Sequence, residues 1–561
     1  MDNQTENTQA ARKRGPVRDF ANLPEGFLER LRLDAGLDMP VHILRQLQRH
    51  YQSNERREPL YDELYFLDRY LATRRAGDIP VSELLTNEQY IAETYADLLA
   101  KRDSINRNMT PLTPDMASRI VGRYLERSGR RPDLDRRVVI AAGEDTELRL
   151  ILGGVHPMAV TDYGAAGFLQ LPEPKPGNIL IILCPAPGMT RGVFTAAVVR
   201  VLQASGVGLP RGAVVGRAGI AGAVAGLFEG AHVNLMAIPG LSAPCELEEL
   251  CGSAHGAVLI ATEPSRSGSI LAAAAAENLP AATAGGILYN NKLMVKYSLS
   301  IPVSLSMDLI YKPARYPAEK YIVREQKRAE ISNIVTSRCH DPASGLLLAT
   351  AHSPGNCDPF FMSHDTVLTA VAGCVAGGAD FTGVSLSLCG SIPAECSEPQ
   401  ARGDILALIL GAYRAQIEYC LPDAGSLYTF SEQGFSFTAA AAALPEGKLI
   451  PATFRKPGSR VYLLSPATRP DGLPDYEELR RIWRYVADIG RAGLVSSAAA
   501  IGADGAAGAI RAMSGDVVFE PADNTDLLQK PMPGGIIIES DALLEGVRLG
   551  KTKPAGGYIS I

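Results

Sequence analysis

"KPGNILIIL" (Lys175–Leu183) and "KPGSRVYLLS" (Lys456–Ser465) are one strand entry written twice in the same chain. In each, a Lys-Pro-Gly turn leads into an apolar run, which reads as a buried strand. A helix follows each copy; after the first it is "GVFTAAVVRVLQASG", with a Gly stop. Next come a Gly/Ala-rich turn ("VVGRAGIAGAVAGL" in one copy, "VSSAAAIGADGAAGAI" in the other) and a strand pair. In the first copy "HVNLMAIPG" and "GAVLIATEP" read as strands and "RSGSILAAAAAENLP" as a helix. Alternating strands and helices imply α/β layers. Two copies of one module, each preceded by a strand-rich region, make an internal duplication.

Upstream the texture differs. Residues 1–23 read as a polar tail and 24–75 as a small helical module. There Asp38 is expected to cap a helix with Pro40 in its first turn and Leu44, Leu47 and Tyr51 on one face. "NERRE" is a charged turn, and a second helix from about Pro59 carries Leu60, Leu64, Leu67 and Leu71. Residues 76–135 are charged and mostly helical, with "PLTPDMASRIVGRYLERSGRR" the clearest case. Near residue 138 the chain turns to Val, Ile, Ala and Gly.

The totals set limits. A chain of 561 residues exceeds one core, so about two to four domains are expected. A net charge of −6 and the single Trp483 argue against nucleic acid as a partner. No apolar run reaches the ~18 residues of a spanning helix, and the N-terminus has no signal-peptide pattern. The expectation is a cytoplasmic protein with no membrane partner. The nine cysteines include no C-x-x-C pair, so neither a disulfide framework nor a zinc site is expected. Cys184, Cys374 and Cys389 read as buried small hydrophobes.

The order of a helical module followed by two pairs of strand-rich and α/β units resembles the synthetase region of large-form phosphoribosylformylglycinamidine synthase (FGAM synthase). Its halves belong to the aminoimidazole ribonucleotide synthetase-like (PurM-like) superfamily. The residues that carry the likeness begin with "LRLDAGLDMPVHILRQLQRHYQSNERREPLYDELYFLDRYL", similar to the family's linker helices. "VHPMAVTDYGAAG" is similar to its first His-Pro loop and Gly-rich bend. "CELEELCGSAHGAVLIATEPSRSGSILAAAAAENLPAATAGGI" follows the first α/β unit. "LGAYRAQIEYCLPDAG" and the stretch from Phe454 to Met513 follow the second half. The collinear order covers most of residues 25–561.

The resemblance implies ATP-dependent amidine formation in purine biosynthesis, with ammonia from glutamine. It also implies an α+β, α/β fold: the helical module, then two tandem PurM-like halves forming a pseudo-dimer. The expected units are 24–75, a truncated first strand-rich unit at 76–174, its α/β unit at 175–325, the second strand-rich unit at 326–453 and its α/β unit at 454–561. A stretch of the family's first strand-rich domain is missing between Gly167 and Lys175. The chain stops at Ile561, where the family enters its glutaminase domain.

The departures fall on the chemistry. The family's catalytic histidine motif follows the linker helix, where this chain has Ala72, Thr73, Arg74 and Arg75. Of its Glu-Thr-His-Asn-His-Pro loop only His156 and Pro157 remain, preceded by Leu152, Gly153, Gly154 and Val155. Its Gly-Gly-Lys-Asp-Ser motif falls on Gly425, Ser426, Leu427, Tyr428 and Thr429, and its acidic Ser-Glu-Ser-Gln-Glu-Arg run on "CGSAHG". Phosphoryl transfer needs Mg²⁺ on oxygen ligands and charge stabilisation. Losing these at four separate motifs indicates release from catalytic constraint.

The surviving nucleotide- or phosphate-binding candidates are His156, Asp162, Gly164, Ser267, Asp358 and Asp504. Most have a plainer reading: His156 as a turn histidine beside Pro157, Asp162, Asp358 and Asp504 as turn formers, Ser267 as part of a helix N-cap. "GRAGIAG" (Gly216–Gly222) lacks dinucleotide-fingerprint spacing. His352, His364 and Asp365 form the richest polar cluster of the second half and are weak metal candidates. No catalytic residue is assigned. The expected function is that of an inactive or strongly altered FGAM synthase-like protein that binds or scaffolds. The alternative is an active ATP-dependent ligase or its synthetase subunit. ATP or ADP with Mg²⁺ is expected only if the family site persists. A nucleotide or phosphorylated small molecule, and a separate amidotransferase or other protein subunit, are the partners considered.

Overall fold

The structure is a computed structural model that describes residues 15–105, 112–129, 137–142, 159–161, 164–169, 175–205, 212–214, 224, 230–240, 256–296, 303–306, 308–309, 316–328, 333–340, 345–355, 358–393, 396–431, 434–522 and 527–555. The N-terminal helical module comprises α1 (Glu25–Ala35), α2 (Val41–His50) and α3 (Tyr61–Asp78). Leu44, Leu47 and Tyr51 are buried against Leu64, Leu67 and Leu71, as their helical spacing requires. Asp38 is not the cap expected. Pro40 holds the cap position of α2, and the Asp68 carboxylate on α3 accepts the amides of Asp38 (3.1 Å) and Met39 (2.5 Å). A long-range carboxylate has replaced a local one.

The next region is helical at α4 (Gln89–Ile105) and α5 (Pro114–Arg127), the latter capped by Thr113, whose hydroxyl accepts from Met116 N (3.2 Å). It also holds a strand where helix was expected: β1 (Val81–Thr86) pairs in parallel with β12 (Glu319–Val323). Three short strands, β2 (Arg137–Ala142), β3 (Ala159–Thr161) and β4 (Gly164–Leu169), form an antiparallel sheet with β4 central. The Gly164–Gly167 run is therefore strand, not the bend read from the sequence.

The duplication holds strand for strand. The first α/β unit contains β5 (Ile179–Leu183), α6 (Arg191–Ala204), β6 (Gly212–Val214), β7 (Ala231–Asn234), β8 (Val258–Thr262), α7 (Ser267–Ala276), β9 (Ala281–Ile287), β10 (Lys292–Lys296) and β11 (Val303–Ser306). Its sheet order is β6-β8-β5-β9-β7-β10-β11. Between the two α/β units lies the second strand-rich unit, with β13 (Val335–His340), β14 (Leu347–Ser353), α8 (Pro359–Ala376), β15 (Ser385–Pro393), α9 (Pro399–Tyr419), β16 (Asp423–Ser431) and β17 (Ser436–Ala443). The second α/β unit has β18 (Arg460–Leu464), α10 (Tyr476–Arg491), β19 (Ser497–Ala500), α11 (Gly505–Met513), β20 (Val517–Pro521), β21 (Ile536–Ser540) and β22 (Val547–Pro554), in sheet order β19-β21-β18-β22-β20. Both Lys-Pro-Gly strands are central, and the four neighbouring pairs among the five strands that the two sheets share are antiparallel in both copies. The turns match as well. Gly177 and Gly458 both have φ +90°, which favours glycine. Their amides donate to Ile287 O (3.1 Å) and Thr552 O (2.8 Å), on the corresponding strands β9 and β22.

Among the described residues, the first copy alone has α7 between β8 and β9 and the hairpin β10–β11. The second Gly/Ala-rich "turn" is strand β19, a left-handed step at Asp504 (φ 59°) and helix α11. Most of its counterpart, including Gly216–Gly222, lies outside the described residues.

The second strand-rich unit is a five-stranded sheet, β13-β14-β17-β15-β16. Helix α8 lies across β14 and β17 and is buried along its whole length, and α9 packs antiparallel to it. The three-stranded sheet of the first half lies against β15, β16 and β17, while α4 and α5 pack on α9. The halves thus share one large core. Among the described residues no helix is long and apolar enough to cross a membrane. Cys184, Cys374 and Cys389 are buried; burial pushes the Cys184 thiol up to about 11 and that of Cys374 to about 12.

Candidate functional site

The polar centre of the second half forms where α8, α9 and α10 meet the segment 324–328. Helix α8 is apolar except for His364, Asp365 and a few hydroxyls, so its amphipathic stripe cannot place these groups at a surface; it inserts them between layers. Arg328 grips Asp365 with two bonds, Nε to Oδ2 (2.7 Å) and Nη2 to Oδ1 (2.9 Å). His364 Nδ1 lies 2.8 Å from Asp365 Oδ1, and its Nε2 lies 2.9 Å from the Tyr476 hydroxyl on α10. Arg414 of α9 sits over the Tyr476 ring, 5.4 Å from the centroid.

The charges fix the proton positions. Burial works to raise the Asp365 carboxyl, but the Arg328 guanidinium and the His364 bond hold it below the usual carboxylate range. Burial pushes the His364 imidazole down and the Tyr476 phenol up. A neutral ring beside an ionised carboxylate donates from Nδ1–H, so Nε2 accepts the tyrosine O–H. The order Arg328, Asp365, His364, Tyr476 is then a closed relay of donors and acceptors. His364 is 0% exposed and stacked on Phe360 at 5.9 Å. The relay orients and ties; it has no group turned outward to act on a substrate.

Among the described residues, none of the other candidates bonds to the Arg328–Asp365–His364–Tyr476 group, although Asp358 lies next to it. Asp358 precedes α8, where its Oδ2 accepts the Lys327 amide (2.5 Å). His352 is on β14, with Nδ1 2.8 Å from Thr438 Oγ1. Asp504 precedes α11 and its Oδ2 pairs with Arg511 (3.1 Å). Ser267 begins α7 but caps nothing: its hydroxyl donates back to Pro264 O (2.8 Å) and that of Ser269 to Arg266 O (2.8 Å). Gly164 opens β4, paired with Thr161 and Ala142. His156 and Asp162 lie outside the described residues, as does Cys251–Ala254. Gly425–Thr429 lies on the edge strand β16.

Among the described residues no group of three or more His, Cys, Asp or Glu side chains is placed to hold a metal ion. Asp358, Asp365 and Asp504 are each committed to an internal donor. These carboxylates do not form the oxygen-rich set that Mg²⁺ requires. Sequence reasoning missed Arg328, Arg414 and Tyr476. Only the adjacent His364–Asp365 pair hinted at the centre, because Arg328 lies 37 residues before Asp365 and Tyr476 lies 112 residues after His364.

The fold class these units define is the tandem PurM-like arrangement, in which each half joins a strand-rich unit to an α/β unit. Comparison with solved structures gives the particular relative. Thermotoga maritima PurL complexed with ADP is similar over 90% of this chain and 99% of its own, at 12% identity and a TM-score of 0.50. Phosphoribosylformylglycinamidine synthase II from the same organism aligns over 69% of this chain and 74% of its own, at 15% identity and a TM-score of 0.46. Thiamine monophosphate kinase from Aquifex aeolicus covers 38% of this chain and 86% of its own, at 12% identity and a TM-score of 0.29. Neither a family model nor a curated protein sequence matches the chain. The chain has the fold of PurL; identities this low speak for fold alone.

Proposed function

We propose that this chain is an FGAM synthase-like protein that has lost or strongly altered its ligase chemistry and acts as a binding or scaffold protein. One observation carries the reading. The carboxylates and histidines that survive in the described second half serve internal contacts: Asp365 holds Arg328 and His364, and His364 holds Tyr476. The sequence supports it, since the family's Glu, Asn, Lys and Asp positions carry Leu, Val, Leu and Tyr. The units 24–75, 76–174, 175–325, 326–453 and 454–561 are proposed on the same basis.

ADP in the Thermotoga maritima relative makes Mg²⁺-ADP the first ligand to try. A nucleotide or phosphorylated small molecule is the proposed ligand class, and a separate amidotransferase the first protein partner to seek. The test is to mix purified chain with ATP, Mg²⁺, formylglycinamide ribonucleotide and ammonia and to follow ADP. The expected result is no release above the protein-free control. Turnover at an enzyme-like rate of about 1 s⁻¹ or more overturns the reading. A nucleotide-dependent rise in Tm without turnover indicates a binding site kept after the chemistry was lost.

A further inference from the structure

Trp483 is the only tryptophan of the chain, and it stands in a run of rings in contact. Its indole lies 4.7 Å from Tyr419, centroid to centroid. Tyr419 lies 6.0 Å from Tyr476, and Tyr476 lies 5.9 Å from His364. All four are buried, Trp483 and His364 at 0% exposure. Rings this close exchange electrons, so a hole formed on Trp483 passes to whichever neighbour is oxidised most easily. For a phenol that depends on the proton: it gives up an electron easily only when its O–H proton can leave at the same time.

The hydrogen bonds single out Tyr476. Trp483 Nε1–H donates to Gly534 O (2.9 Å), and the Tyr419 hydroxyl donates to Tyr476 O (3.4 Å). A peptide carbonyl accepts a hydrogen bond but does not take the proton. The Tyr476 hydroxyl instead meets His364 Nε2 (2.9 Å), the basic nitrogen of a neutral imidazole. On its other side the ionised Asp365 accepts from His364 Nδ1–H (2.8 Å) and stands ready to neutralise an imidazolium. Guanidinium groups reinforce the choice. Arg480 sits 5.5 Å over the Tyr419 ring and Arg414 5.4 Å over that of Tyr476. A cation there attracts a neutral ring and repels a positively charged one. The hole is therefore disfavoured on Tyr419, and on Tyr476 it is stable only as a neutral phenoxyl.

We propose that Tyr476 is a proton-coupled one-electron redox site, filled from Trp483 across Tyr419, with His364 as its base. The oxidant is a one-electron acceptor in solution, of the class of metal complexes that gain a single electron on reduction. It takes one electron from the Trp483 indole. Tyr476 returns that electron to Trp483 as its O–H bond breaks, and the proton passes to His364 Nε2. The products are a neutral phenoxyl radical at Tyr476, an imidazolium paired with Asp365, and the oxidant reduced by one electron. Reduction of the radical brings the proton back, so the site stores one oxidising equivalent reversibly. Only the electron has to cross the surface, which suits a polar centre with no group turned outward.

The experiment uses the full chain and its single tryptophan. A laser pulse at the red edge of indole absorption, where tyrosine is transparent, ejects an electron from Trp483. A cobalt(III) ammine in solution captures that electron irreversibly, and transient absorption follows the indolyl and phenoxyl bands. In wild type the first should decay as the second grows. Tyr476→Phe should abolish the phenoxyl band and lengthen the life of the indolyl radical. His364→Gln keeps an acceptor for the Tyr476 hydroxyl but supplies no base, so phenoxyl growth should slow by about 100-fold. Indolyl decay with no phenoxyl growth in wild type overturns the proposal. So does a phenoxyl band that survives Tyr476→Phe, or growth that His364→Gln leaves unchanged. If either variant lacks the wild-type far-UV spectrum, wild type in D2O takes its place. Phenoxyl growth should then slow by about twofold or more, as a moving proton requires, and an unchanged rate overturns the proposal.

Discussion

His352 and His364 show how burial converts a candidate ligand into a structural group. Burial pushes the His352 imidazole down to about 4, and pushes His364 down as well. In the unfolded chain both titrate near the ordinary value of about 6.5. Between those limits the unfolded state binds more protons, so stability is full above pH 6.5 and falls as the pH drops toward 4. Each such histidine contributes a slope of roughly 1.4 kcal/mol per pH unit. Urea unfolding at pH 7.0, 6.0 and 5.0 should show this loss, and His352→Gln should flatten it by one proton's share. A variant with the wild-type pH dependence contradicts the assignment. At Asp365 the expected cost is larger: Asp365→Asn leaves Arg328 buried without its counter-charge and should destabilise by about 3–5 kcal/mol in the same assay. Little of this was legible locally. "SHD" reads equally as metal ligands, capping residues or buried groups, and only the arrival of Arg328 and Tyr476 separates them.

At the scale of elements, periodicity predicted the helices of the N-terminal region and the two Lys-Pro-Gly strands with the helices that follow them. It did not predict helices α8 and α9, and contacts between distant segments overrode local signals elsewhere. β1 contains Glu83 and has a single buried residue, Val81, so its sequence carries little strand signal; its partner β12 begins 238 residues further on. Gly164–Gly167 looks like a bend because glycine favours bends, yet with β2 and β3 on either side it becomes the central strand. Gly411 marks the closest approach of α9 to α8. A Cβ there would lie 2.1 Å from Phe360 O and 2.4 Å from Ser363 Oγ. Gly411→Ala should force the helices apart and cost about 3 kcal/mol in equilibrium unfolding. Asp475 caps α10 by accepting Glu478 N (2.9 Å), so Asp475→Ala should cost about 1 kcal/mol and loosen hydrogen exchange in that first turn.

Across the whole molecule, the two halves are one α/β topology used twice and then differently embedded. In the first, Ile181 and Leu183 of β5 form a separate small core with Phe194, Val198 and Val201 of α6. In the second, Tyr462 and Leu464 join the main core through α10, where Trp483 meets Tyr419 at 4.7 Å and Phe381 at 5.6 Å and donates to Gly534 O. Trp483→Ala should therefore loosen the second α/β unit from the strand-rich unit and cost about 3–5 kcal/mol; an unchanged denaturation midpoint would contradict that. The repeat itself was readable in one dimension. A Lys-Pro-Gly turn needs φ > 0 at its glycine and an apolar strand behind it, and both requirements are written in consecutive residues. Composition, the helical module and the alternation of strands and helices were readable for the same reason: they depend on neighbours within a few positions. Tertiary structure alone decided which polar groups are spent. Arg57 looks like part of a charged turn and Glu63 like an ordinary helix residue until Ser304 meets them, and His364 looks like a ligand until Tyr476 meets it. Satisfying a buried donor or acceptor depends on distance in space, and in this chain the partners lie tens to hundreds of residues away.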